Sequence, residues 1–126
     1  MKELIELALK MKADAYAPYS HFAVGAAVLA SSGKIYGGAN VENASYGASM
    51  CAERCAVFAA VNAGERRLEA LAVTEMPCGM CRQVLREFAD PAALKIVVAK
   101  SLDDTRVFTL NELLPVSFGP ENLRTT

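Results

Sequence analysis

The sequence has no excess of charge of either sign, because 13 lysines and arginines stand against 14 aspartates and glutamates. Proteins that bind nucleic acid attract the phosphate backbone with a basic surface. The balanced charge therefore argues against a nucleic-acid partner, and it favours a small, uncharged one.

Long apolar runs are also missing. The first twenty residues, MKELIELALKMKADAYAPYS, place charges among the leucines and lack the apolar segment of a signal peptide. No later stretch approaches the length of a membrane-spanning helix. We therefore expect a cytoplasmic protein without membrane contact, in which thiols stay reduced and paired cysteines indicate a metal site or catalysis more often than a disulfide.

The length and composition of the chain are typical of one compact domain. The chain has 126 residues, of which 53% are apolar, and this is enough to fill a single core without disulfides. It has no internal repeat, linker or low-complexity tract. We predict a single domain over residues 1–126, with a frayed end from Glu121 to Thr126.

The apolar pattern predicts helices and strands in alternation. Helical periodicity from Leu4 to Ala15, stopped by Pro18, predicts an amphipathic first helix. Apolar runs predict strands at 22–30, 35–39, 68–74, 94–99 and, at an edge, 106–109. Further helices are predicted at 51–63, 82–88 and 111–114. Strands separated by helices need crossover connections, so we predict an α/β fold with three α-β-α layers and a mixed, partly parallel sheet of about five strands.

The four cysteines lie in two short segments, CAERC at 51–55 and PCGMC at 77–81. Each segment begins a predicted helix, and the strand between them could place the two helix N-termini side by side. The positive end of a helix dipole stabilises thiolates, and reduced thiolates within tetrahedral reach select zinc. The two segments together predict a zinc site.

Spacing alone leaves the ligand count open. A closed structural site would use all four thiols, because positions 51 and 55 share one helical face. An open catalytic site would use three thiols and leave one position for water, with Glu53 near enough to move protons and Arg54 to offset negative charge. A redox pair at 78–81 is a weaker alternative, since it gives Cys51 and Glu53 no role.

These segments resemble those of the small, homotetrameric cytidine deaminases. The likeness covers CAER at 51–54 and PCGMCRQ at 77–83, and it extends to PYSHFAVGA at 18–26, NVEN at 40–43, ELLP at 112–115 and SFGP at 117–120. Several blocks in the same order make it specific. It implies a cytidine deaminase-like fold, zinc-dependent hydrolysis of free cytidine and deoxycytidine to uridine and deoxyuridine in pyrimidine salvage, and a homotetramer.

The resemblance also implies roles for the residues of the zinc site. The family's ligands match Cys51, Cys78 and Cys81, with one zinc per chain, whereas Cys55 falls where the family has a small residue that is not a ligand. The resemblance therefore favours the open site. Glu53 matches the residue that takes a proton from water, passes it to N3 of the pyrimidine and later helps to expel ammonia.

Six residues match substrate-binding positions of the family: Phe22, Asn40, Glu42, Tyr46, Ala52 and Phe118. In that family, the aromatic at Phe22 lines the pocket, Asn40 and Glu42 bind sugar hydroxyls, and the Ala52 backbone holds the base. Tyr46 and Phe118 match residues contributed by a neighbouring subunit. Without the resemblance, Asn40 and Glu42 would be read as a polar turn and the aromatics as ordinary core or surface residues.

Two further observations qualify the resemblance. His21 is the only histidine, and we expect it to be exposed and not a ligand. Thr74-Glu75-Met76 is shorter than the family's loop before Pro77, and it should border the pocket, so the substrate range stays open. The alternatives are a deaminase of another aminopyrimidine nucleoside, such as a blasticidin-type compound, and a structural four-cysteine zinc module.

Overall fold

The computed structural model describes residues 1–123 and contains one mixed sheet covered by helices on both faces. In chain order, the elements are α1 (Lys2–Met11), β1 (Gly25–Ala30), β2 (Ile35–Ala39), α2 (Ala52–Asn62), β3 (Leu68–Val73), α3 (Gly79–Phe88), β4 (Lys95–Ala99), β5 (Thr105–Thr109) and α4 (Leu110–Leu113). The predicted α/β class, with a mixed sheet of five strands, is confirmed.

The strands lie in the order β2-β1-β3-β4-β5. Strand β1 pairs antiparallel with both β2 and β3, and β5 pairs antiparallel with β4. Strands β3 and β4 are parallel, because α3 lies between them in the chain and carries it back across the sheet. Helix α3 therefore begins just after the short loop that follows β3.

The two faces of the sheet bury different side chains, as the twofold alternation along a strand requires. Helix α1 packs Leu4, Ile5 and Ala8 against one face, where Ala27, Ala70, Ala72, Val97 and Ala99 lie. Helices α2 and α3 pack against the other face, over Ala26, Val28, Leu71, Val73 and Ile96. The predicted three-layer arrangement is therefore present, and small alanine side chains bring the helices close to the sheet.

The strand predicted from Phe22 is wrong in its first three residues. Strand β1 begins at Gly25, and Phe22 is 54% exposed. The Asn40 side chain makes hydrogen bonds to the backbone of this segment in place of a neighbouring strand. Its Oδ1 accepts a hydrogen bond from Val24 N at 2.8 Å, and its Nδ2 donates one to the Phe22 carbonyl at 2.9 Å. These bonds satisfy backbone groups that a strand would have paired.

The ends of the chain also differ from prediction. The first helix ends at Met11 and continues as a 3₁₀ turn over Lys12–Asp14. Fraying is a wrong prediction for Glu121 and Asn122, because Pro120–Asn122 form a 3₁₀ turn and Glu121 pairs with Arg86. Residues 124–126 of that prediction lie outside the described part of the chain. Within residues 1–123, no helix has the length and hydrophobicity that crossing a bilayer requires.

Candidate active site

Three cysteine side chains meet where α2 and α3 begin. Cys51 is the N-cap residue of α2, Cys78 is the N-cap residue of α3, and Cys81 lies in the first turn of α3. The Cys51 and Cys78 sulfurs are 3.7 Å apart, and the Cys78 and Cys81 sulfurs are 3.3 Å apart. All three sulfurs lie within 4.8 Å of one another. The predicted convergence of the two segments is therefore present.

The geometry of this cluster fits zinc. Tetrahedral sites with Zn–S bonds of about 2.3 Å place their sulfurs roughly 3.8 Å apart, and the separations in the cluster are close to that value. Three soft thiolate ligands favour zinc over harder divalent cations. The residues present therefore suit one zinc ion per chain with three protein ligands.

Cys55 is not a member of the cluster found among residues 1–123. The argument that positions 51 and 55 share one helical face is wrong, because Cys51 is an N-cap residue with extended backbone, φ −71° and ψ 153°. Its side chain therefore does not follow the helical row. Burial raises the pKa of the Cys55 thiol.

Charged groups surround the clustered thiols unevenly. Arg54 Nη2 lies 3.4 Å from Cys51 Sγ, while the buried Arg54 Nε has no hydrogen-bond partner among residues 1–123. Burial raises the pKa of Cys81, and the negative charge of Glu53 adds to that effect. The pKa of Cys78 is lowered, because hydrogen bonds with Cys81 and Cys51 outweigh its burial. Metal binding must therefore release protons from this site.

Glu53 lies against the thiols in the first turn of α2. It is only 4% exposed, and burial raises the pKa of its carboxyl group. Hydrogen bonds from its own N–H, from the Cys81 thiol and from the Cys78 N–H oppose the rise, as does the nearby Arg54 charge. A buried carboxyl group with a raised pKa beside a cluster of metal ligands is typical of a proton-transfer residue.

A cavity of about 230 Å³ opens beside Glu53. Its lining includes seven of the predicted site residues: Phe22, Asn40, Glu42, Cys51, Ala52, Glu53 and Cys78. Glu75 and Met76 also line it, so the loop that is shorter than in the resembled family does border the pocket. The cavity therefore joins the thiol cluster to the polar residues that sequence patterns singled out.

Glu42 is held in place by the backbone of the preceding loop. Its Oε1 accepts hydrogen bonds from Tyr19 N at 3.0 Å and from Ser20 N at 3.1 Å, and its Oε2 accepts one from the Ser20 hydroxyl. The hydrogen bonds from Ser20 lower the pKa of Glu42 most, and the charge of His21 lowers it further. Glu42 thus stays ionised and fixed at the cavity wall.

Asn40 keeps hydrogen-bonding capacity toward the cavity. Its amide group makes one bond through Oδ1, to Val24 N, and one through Nδ2, to the Phe22 carbonyl. A carboxamide has two acceptor positions and two donor protons. One acceptor position and one N–H of Asn40 therefore remain for a ligand, beside the Glu42 carboxylate.

Tyr46 and Phe118 do not line this cavity in a single chain. Tyr46 is 76% exposed and contacts Tyr19 edge to face, with ring centroids 5.9 Å apart. Phe118 is 58% exposed and lies beside Gln83 and Leu123, on a different surface. His21 is exposed, as predicted, and is not part of the thiol cluster.

Sequence reasoning missed Ser20, which lines the cavity and holds Glu42. The two residues are separated by 22 positions in the chain, so no local pattern could have paired them. Its place within the PYSHFAVGA block is the only signal in the sequence that bears on it.

The chain is similar to known proteins over nearly its whole length. Residues 1–99 match the family model described as the cytidine and deoxycytidylate deaminase zinc-binding region. The chain is 44% identical to a cytidine deaminase of Halalkalibacterium halodurans, and the match covers 95% of each protein.

Crystal structures of cytidine deaminases show the same fold. That from Burkholderia pseudomallei has a TM-score of 0.85 and 46% identity, covering 92% of this chain and 97% of the other. That from Mycobacterium tuberculosis has a TM-score of 0.83 and 44% identity, covering 93% and 95%.

Proposed function

The chain belongs to the zinc-binding cytidine and deoxycytidylate deaminase family, and on that premise we propose that it hydrolyses free cytidine and deoxycytidine to uridine and deoxyuridine. The observation that carries this proposal is the position of the buried Glu53 carboxyl group. It lies against the three-thiol cluster and lines the same cavity as Asn40 and Glu42. One cavity thus holds the groups for metal binding, proton transfer and sugar recognition.

Cys51, Cys78 and Cys81 would hold a zinc ion with one position left for water, and zinc there would supply hydroxide at neutral pH by lowering the pKa of that water. Glu53 accepts the proton released by that water and donates a proton to N3 of the pyrimidine. The oxygen of that water forms a bond to C4 as N3 takes up the proton. Glu53 then moves the remaining proton of the C4 hydroxyl to the amino group, the C4–N bond breaks, and ammonia leaves while C4 becomes a carbonyl carbon. Burial of Glu53 suits this role, since its raised pKa allows it to hold a proton as well as to release one.

The remaining cavity residues orient the nucleoside. The backbone of Ala52 holds the base, and the Phe22 ring packs on it. Asn40 and Glu42 bind the sugar hydroxyls, since each offers an acceptor to the cavity and Asn40 also offers a free N–H. Both side chains are already fixed by hydrogen bonds to the protein, so little conformational entropy is lost on binding.

The charge of the cavity supports a free nucleoside as the substrate over a nucleotide. Its lining in the described chain carries the carboxyl groups of Glu42, Glu53 and Glu75 and no lysine, arginine or histidine. A 5′-phosphate group would add about two negative charges, and Lys100, a cation that adjoins this lining, is already paired with Glu75. Cytidine and deoxycytidine are uncharged, so they enter without this repulsion.

A homotetramer with shared active sites is part of the proposal, as are a cytoplasmic location and a place in pyrimidine salvage. Support for shared sites comes from Phe118, which is largely exposed and lies away from the chain's own cavity, and from Tyr46, which is exposed beside a pocket that adjoins this cavity at Asn40 and Glu42. A partner's Phe118 can then pack on the base. A reducing compartment is consistent with this site, because the three clustered cysteines can bind a metal only as reduced thiols. One domain, 1–126, would carry all of this.

Incubation of the purified protein with cytidine, followed by ultraviolet absorbance, tests the proposal together with a zinc assay. We expect the cytidine band to disappear and about one zinc per chain. Cytidine 5′-monophosphate, run in parallel, should be turned over far more slowly. Failure to convert cytidine by a protein that holds its zinc would contradict the proposal, and a panel of other aminopyrimidine nucleosides would then identify the substrate.

Glu53→Gln is the matched inactive variant, since the amide has nearly the same shape and cannot exchange the proton. We expect it to keep its zinc and its fold while turnover falls by roughly 10²–10⁴-fold. Residual activity within a few-fold of the unmodified protein would remove Glu53 from the proton-transfer role.

A further inference from the structure

Helix α3 joins the thiol cluster to the segment that follows α4. After the metal-site residue Cys81, the side chains of Gln83 and Arg86 reach this segment. Gln83 Nε2 donates a hydrogen bond to the Phe118 carbonyl at 2.9 Å, and Arg86 Nε donates one to the Ser117 hydroxyl at 2.8 Å. The backbone on both sides of the Phe118 ring is therefore fixed from one helix.

Arg86 makes the larger share of these contacts. It is only 9% exposed, and its guanidinium group also pairs with the Glu121 carboxylate. The same group lies flat against Gly119, where an added Cβ would be 2.4 Å from the Arg86 Cζ. Arg86 thus contacts the residues immediately before and after Phe118, and also Glu121, two positions after Gly119.

The Phe118 ring itself is not packed into the core. It is 58% exposed, although its carbonyl group is hydrogen-bonded. The charge of Arg86 is buried and fixes the backbone of this segment, whereas the Phe118 ring on the same segment is exposed. Such an arrangement presents the ring to another molecule. Fixing the ring beforehand reduces the conformational entropy lost when it binds.

We propose that Arg86 is a positioning residue that sets the Phe118 ring for the active site of a neighbouring copy of the chain. This inference rests on the proposed function, in which the partner's Phe118 packs on the base. Arg86 touches neither the substrate nor the metal site. It acts by holding Ser117, Gly119 and Glu121 so that the ring projects at a fixed place.

Arg86→Gln tests the inference through steady-state kinetics on cytidine. The variant loses the ion pair and the planar contact, so the stacking ring is misplaced and we expect KM to rise about tenfold, within the range that loss of base stacking produces. Zinc per chain and kcat should change little. Arg66→Gln is the control. Arg66 is exposed and lines, together with Arg86, a pocket on the surface of the chain, and among the contacts described it bonds only to the Val61 and Glu65 carbonyls.

A double variant separates positioning from a general loss of stability. If Arg86 acts through Phe118, then Arg86→Gln combined with Phe118→Ala should have the same KM as Phe118→Ala alone. Additive effects of the two substitutions would overturn the inference. Should Arg86→Gln fail to fold, Ser117→Ala removes only the hydrogen bond from Nε, and it should raise KM in the same direction and by less.

Mixed oligomers test whether the ring acts on another copy. Glu53→Gln chains lack proton transfer but carry a well-placed Phe118, whereas Arg86→Gln chains have an intact Glu53. Coexpression of the two should restore low-KM turnover in the hybrids, and the absence of recovery would overturn the inference. If the unmodified protein deaminates cytidine while Arg86→Gln keeps its KM, only this inference fails. If the unmodified protein does not deaminate cytidine, the proposed function fails first.

Discussion

Replacement of Gly38 by alanine should push α2 away from the sheet. A Cβ at Gly38 would lie 2.4 Å from the Ala56 nitrogen and 2.7 Å from the Ala52 carbonyl oxygen. Both are backbone atoms of α2, so no rotamer change can relieve the contact. Since ordinary contact begins at 3.4 Å, the helix must move by 3.4 − 2.4 = 1.0 Å relative to β2.

The displacement should reach the active site, because Cys51 is the N-cap residue of α2 and Glu53 lies in its first turn, whereas Cys78 and Cys81 lie at the start of α3. A misplacement of about 1 Å in a catalytic constellation costs as much as 10²-fold in rate, and overpacking of a core costs about 1–3 kcal/mol. We expect Gly38→Ala to lower kcat by about 10²-fold and the free energy of unfolding by about 1–3 kcal/mol, measured by cytidine kinetics and urea denaturation.

Gly37→Ala is the matched control, since neighbouring residues of β2 face opposite sides of the sheet. A Cβ at Gly37 would meet Met11 Cγ at 2.8 Å and Sδ at 3.0 Å, on α1. The Met11 side chain is flexible and can move aside, so kcat should be unchanged and the loss of stability small. A wild-type kcat and denaturation midpoint for Gly38→Ala, or equal damage from both substitutions, would refute the reasoning.

Three further substitutions test the metal site and the sugar site. Cys55→Ala should keep about one zinc per chain, whereas Cys51→Ala should lose it; equal loss of zinc from both variants would point to the closed four-cysteine site. Ser20→Ala removes a hydrogen bond that lowers the pKa of Glu42 below its ordinary 4.5, so Glu42 should take up a proton at a higher pH as the solution is acidified. The acid limb of kcat/KM for cytidine should then move to higher pH, and an unmoved limb would show that ionised Glu42 is not needed for binding.

The sequence predicted well where local patterns decide the structure. The order of helices and strands follows from apolar periodicity, and the C-terminus of α2 follows from Gly64, whose φ of 99° lies in the left-handed region that glycine favours. The zinc cluster could also be predicted from the sequence, because Cys51 and Cys78 each lie at the start of a helix, and both helices pack on the same face of the sheet.

The sequence failed where one side chain replaces a backbone interaction. The apolar residues from Phe22 to Val24 are typical of a strand, yet Asn40 takes the hydrogen bonds that would have formed the ladder. The ligand count was undecidable from spacing because it depends on the backbone conformation of Cys51, which only the folded chain defines. The hydrogen bond between Ser20 and Glu42 joins two loops, so no periodic pattern in the sequence predicts it.

The N-cap residues of α2 and α3 are cysteines, whereas many helices have a residue with a hydroxyl or carboxamide side chain at this position. Neither Cys51 nor Cys78 caps its helix with a side-chain hydrogen bond, so these sulfurs are available to a metal. A ligand that binds the folded chain alone stabilises it by RT ln(1 + [L]/Kd), or about 2.7 kcal/mol when free ligand is 100 times Kd. Zinc supply should therefore govern the lifetime of the folded protein as well as its activity, since chains without metal unfold more often and are degraded sooner.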